Sequence, residues 1–140
     1  MRYIIIIALT LALNVTSTLA QAVASSESAM KVLSPIGKIE RFKLDEMDIL
    51  SDQAYKALDK VLKYAEAHPT DEKLLDEIIR VASFASSLDP AHTSGQMLLP
   101  LYKKAKKLMD KLIDKLPVKE KKILHLHLKG AADEEKLGNG

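Results

Sequence analysis

The chain has 140 residues and contains no cysteine and no tryptophan. Without cysteine there are no disulfides, no thiol nucleophile and no thiolate-bound metal. Two phenylalanines and four tyrosines are the only aromatics, so a core must be mainly leucine, isoleucine and alanine. Glycine is scarce, at five residues. Neither a glycine-rich phosphate loop nor a G-x-S-x-G elbow occurs, and the zinc-peptidase pattern HExxH is missing too. These absences argue against the common hydrolase, nucleotide-binding and metallopeptidase chemistries. No enzymatic activity, catalytic residue, cofactor or metal site is expected.

Long apolar runs are also missing. The longest, Ile4 to Leu13, is shorter than the roughly 20 residues that span a bilayer. It follows Arg2 and precedes the small-residue triplets Ala20-Gln21-Ala22 and Ala22-Val23-Ala24. A positive start, a short apolar centre and A-x-A spacing are the three parts of a secretory signal peptide. Residues 1–22 are therefore read as a cleaved signal, with the cut after Ala22. No transmembrane span should remain after cleavage. The expected location is periplasmic or secreted.

Residues 23–46 contain Ser34-Pro35-Ile36-Gly37 and no sustained period, and are read as a flexible leader. From there to residue 130 the apolar spacing is helical. A first helix is expected from about Ser51 to Ala67, with Ala54, Ala57, Leu58, Val61, Leu62 and Ala65 on one face. A second starts from a Thr70 cap. Its apolar residues, Leu74 to Leu88, cover more than half the wheel, which implies contact on two sides. A third runs from near Leu99 to about Leu116, so that Pro100 falls in its first turn. A short fourth lies between Pro117 and Gly130, with a strand over 124–128 as the alternative. Residues 131–140 are read as a disordered tail. The expected fold is all-α: a small antiparallel bundle of three main helices plus a short fourth, spanning residues 47–130.

Charge is uneven along the chain. Eleven acids face five bases between Asp45 and Asp89, whereas ten bases face three acids between Pro100 and Lys129. On the third helix, Lys104, Lys107, Lys111 and Lys115 flank the apolar stripe. They form the candidate surface for an anionic partner, either another protein or an anionic envelope polymer or lipid surface. The competing readings are a solvated face with lysine stems over apolar surface, or internal pairing with the acidic half.

Nucleic acid is not an expected partner. Leu116-Pro117, Glu120, Ile123, Leu124, Leu126, Leu128 and Gly130 ahead of Glu134-Glu135 resemble the first helix and turn of sigma-factor region 4. That resemblance covers about a sixth of the chain. It lacks the recognition helix, and the segment has no arginine, the commonest reader of bases. His125 and His127 are the only close histidine pair. Two residues apart on a helix they point in different directions, and they are read as surface residues. The function expected from the sequence is that of a small exported helical interaction protein. The alternative is a peripheral envelope- or membrane-binding protein that uses the basic face of the third helix.

Overall fold

A computed structural model describes residues 23–37, 47–89 and 91–138. They form five helices and, among the described residues, no strand. The helices are α1 (Ser26–Gly37), α2 (Met47–Ala67), α3 (Glu72–Leu88), α4 (Thr93–Ile113) and α5 (Val118–Gly138). Among the described residues no helix is long and apolar enough to cross a membrane. Residues 1–22, read as a signal peptide, lie outside the described part.

The fold is organised around α3. Leu74, Leu75, Ile78, Ile79, Val81, Ala82, Phe84 and Ala85 are all buried, which no single contact face could achieve. All four other helices pack on α3. Its N-cap is Asp71, one residue later than the expected Thr70. The Asp71 carboxylate accepts the Leu74 N–H at 3.1 Å, which satisfies one of the unpaired donors of a first turn. It also accepts a hydrogen bond from Ser26, which ties the start of α1 to the start of α3. The α2 face is as the apolar spacing predicts, with Ala54, Leu58, Val61 and Ala65 fully buried. The helix itself begins at Met47 rather than Ser51.

Three sequence expectations need correction. The leader contains α1. Its cap is reciprocal: Ser28 N–H donates to Ser25 Oγ at 3.1 Å and Ser25 N–H donates to Ser28 Oγ at 3.0 Å. Ala29, Leu33 and Ile36, at helical spacing, join the core. Pro35 stands two residues from the helix end, where it disturbs little of the ladder.

The third expected helix starts at Thr93, not near Leu99, so Pro100 lies inside α4. Further along, α4 is broken at Ala105, whose backbone is non-helical (φ −118°, ψ 25°).

The expected short fourth helix and disordered tail are together one helix, α5, which runs through Gly130 to Gly138. Gly130 is not a stop. A Cβ there would lie 2.8 Å from the His92 ring, so the glycine makes room for that side chain. Gly95 plays the matching part on α4, where a Cβ would lie 2.1 Å from the His127 carbonyl oxygen. Gly130, read as the end of a short helix, and Gly95 are contact points between packed elements. The uninterrupted α5 also removes the turn on which the sigma-like resemblance depended.

Two sets of substitutions test this packing. Ile78→Ala is expected to cost about 2–5 kcal/mol in urea denaturation, and Ala82→Lys to abolish cooperative unfolding by burying an unpaired charge. Gly95→Ala is expected to destabilise by about 1–3 kcal/mol through overpacking, despite the gain of roughly 1 kcal/mol in helix propensity. Gly138→Ala, with nothing within 4 Å, serves as the neutral control.

Candidate functional site

The lysine flank of α4 lies against the acidic half of the chain. Lys104 Nζ reaches Glu66 on α2 at 3.0 Å. Lys111 and Lys115 share Glu72 at the start of α3, at 3.3 and 3.6 Å. These hydrogen bonds and charges, led by the bond from Lys111, hold the Glu72 carboxyl below its usual range. Lys107 makes no ion pair among the described residues. The three paired lysines remain more than half exposed, so the pairs are solvent-screened and add little to stability. The structure thus keeps the four side chains at the surface but matches three of them with carboxylates.

A second cluster escaped the sequence reading. His127 is 4% exposed, not a surface residue, whereas its neighbour His125 is exposed. His127 Nδ1 lies 2.9 Å from Ser94 Oγ. Ser94 in turn contacts Ser86 Oγ, and Ser86 donates to the Ala82 carbonyl at 2.7 Å. The His92 ring meets His127 edge-on, with centroids 5.1 Å apart, and its Nδ1 is buried without a hydrogen-bond partner. Asp89, between α3 and α4, accepts from Tyr55 Oη at 2.7 Å and from the Ala91 N–H at 2.8 Å. One polar seam thereby joins α2, α3, α4 and α5.

The seam has its own electrostatics. Burial, followed by repulsion from His92, pushes the His127 pKa below its ordinary 6.5, and Asp89 only partly opposes this. Burial alone would raise Asp89, but hydrogen bonds from Tyr55, Ala91 and Thr93 and the nearby His127 outweigh it, and the net shift is downward. Tyr55 is pushed up by burial and then by Asp89. The Ser94–His127 pair has the look of a nucleophile and base, but Ser94 is 0% exposed and spends its hydroxyl on Ser86 and His127. The geometry is that of an internal polar lock.

Two of the concavities among the described residues adjoin these groups. A groove of about 640 Å³ between α4 and α5 has Leu99, Pro100 and Ala131 on its apolar side. It is spanned by Gln96–Glu134, at 2.6 Å, and by the Lys103–Glu135 pair, so its charges are matched across the gap. A smaller cleft of about 340 Å³ lies beside the polar seam, between Ser86–Asp89 and Ile123, Leu126 and His127. Among the described residues no group of three or more His, Asp or Glu side chains is placed to hold a metal ion. Comparison with known families, with curated proteins and with solved structures finds no match to this chain.

The seam predicts a pH dependence of stability. The folded-state pKa of His127 is depressed, so its contribution is complete above the unfolded value of 6.5 and is lost as pH falls through the folded value. The urea midpoint should therefore fall from pH 7.5 toward pH 5, before the carboxylates titrate. His127→Gln removes the titration and should flatten that slope. An unchanged slope in this variant would place the effect elsewhere.

Proposed function

We propose that this is a small exported interaction protein that acts through its outer surface, without a cofactor. The five helices are read as a small antiparallel bundle. The observation that carries the reading is the division of polar chemistry. The hydrogen-bonded Ser and His groups are turned inward as a lock, while the cations are turned outward. A surface of that kind suits a protein partner or an anionic component of the envelope. It offers little that would orient a small substrate.

Export is supported by the three-part pattern of residues 1–22 and by the position of α1. Cleavage after Ala22 would leave the Ser25–Ser28 cap intact and start the mature chain just ahead of its first core helix. Periplasmic or secreted protein is accordingly the proposed form. The narrower reading, envelope binding by the flank of Lys104, Lys107, Lys111 and Lys115, is weakened by the pairing of three of these lysines with Glu66 and Glu72.

Cell fractionation of the native host with N-terminal sequencing tests the export reading. The expected mature terminus is Val23, in the periplasmic or culture fraction. Protein that retains Met1 or Arg2 in the cytoplasm would overturn it.

A further inference from the structure

A further group of lysines without carboxylates from the acidic half lies on α5. With 100° per residue, Val118, Lys119, Lys122, His125, Leu126, Lys129, Asp133, Lys136 and Leu137 fall within an arc of about 120°. All nine are exposed. The opposite side of the same helix, Leu124, His127, Leu128 and Ala131, is buried. On the outer face Lys119, Lys122 and Lys129 make no ion pair among the described residues, and Lys136 has only the local Asp133 at 3.6 Å. The three large hydrophobic residues most exposed among those described, Val118 (66%), Leu126 (59%) and Leu137 (83%), lie on this same arc.

We propose that the outer face of α5 docks on an anionic lipid bilayer, lying in the plane of the headgroups. The inference rests on the surface-acting function proposed above and moves its binding face from α4 to α5. Charge complementarity favours the occupant: four lysines stand against one aspartate on a face about 30 Å long at 1.5 Å per residue. The apolar residues decide between lipid and a soluble polyanion. A polyanion would engage only the lysines and leave Val118, Leu126 and Leu137 in water. A headgroup layer takes both, with the lysine stems extended toward phosphate and the apolar side chains below them. No aromatic residue is present on the arc to anchor it, so docking is electrostatic first, reversible and sensitive to salt. Each lysine near such a surface strengthens partitioning roughly fivefold, which corresponds to about 1 kcal/mol.

The test is co-sedimentation of the protein purified from its host, in the processed form the host makes, with vesicles. Vesicles of phosphatidylcholine with phosphatidylglycerol are compared with phosphatidylcholine alone. Three variants accompany the parent, each checked for unchanged helicity by circular dichroism. Lys119, Lys122, Lys129 and Lys136 are changed together to Gln; Val118, Leu126 and Leu137 together to Ser; and Lys104, Lys107, Lys111 and Lys115 together to Gln as the α4 comparison. The expected result is binding to the anionic vesicles alone. It should fall at least tenfold in the α5 lysine variant and severalfold in the apolar variant, with a smaller loss in the α4 variant. Equal binding to both vesicle types, or an α5 lysine variant that binds like the parent, would overturn the proposal. So would an apolar variant that binds like the parent while soluble polyphosphate competes fully, since that outcome assigns the face to a polyanion. None of these failures touches the export result, and a cytoplasmic protein would leave the vesicle result standing.

Discussion

Everything in this fold depends on the burial of α3. Its apolar residues surround the helix, and each of the other four helices covers part of it. That single constraint fixes which charges meet. Covering α3 brings Glu72, at its start, against Lys111 and Lys115 near the end of α4. It also places Glu66 of α2 beside Lys104. Two carboxylates of the acidic half, Glu66 and Glu72, thereby meet three lysines of α4, whereas Lys119, Lys122 and Lys129 of α5 make no ion pair among the described residues.

The same packing explains the polar seam. Helices that approach as closely as Gly95 allows must place backbone and side-chain polar groups in contact. The serine hydroxyls and His127 hydrogen-bond one another there. The orphaned His92 Nδ1 is the one flaw in this arrangement. Burial of His127 favours its neutral form, which couples the junction of α4 and α5 to pH.

Much of the helical content was legible from spacing alone. The wide arc from Leu74 to Leu88 identified α3 as central, and the stripe from Ala54 to Ala65 identified the inner face of α2. What was illegible depended on partners distant in sequence. Gly130 read as a helix end because nothing local reveals the His92 ring beside it, and the close approach of Gly95 to the His127 carbonyl is equally hidden from local rules. Pro100 read as a helix start because local rules favour proline in a first turn, whereas α4 begins at Thr93. α1 was hidden by Ser34-Pro35 and Gly37, although Ala29, Leu33 and Ile36 carry helical spacing and Ser25 to Ser28 a usable cap. His127 was misread because both histidines were taken as surface residues, although two positions apart on a helix they face different ways. The structure buries one and exposes the other.

The central claim is that Lys104, Lys111 and Lys115 of α4 are matched within the molecule, whereas the outer lysines of α5 are proposed to meet a partner. Lysine-reactivity footprinting by mass spectrometry, with and without membranes from the native envelope, tests this most directly. The account predicts that added envelope slows modification of Lys119, Lys122 and Lys129 and leaves Lys104, Lys111 and Lys115 unchanged. Protection of the α4 lysines with unaltered α5 lysines would contradict it.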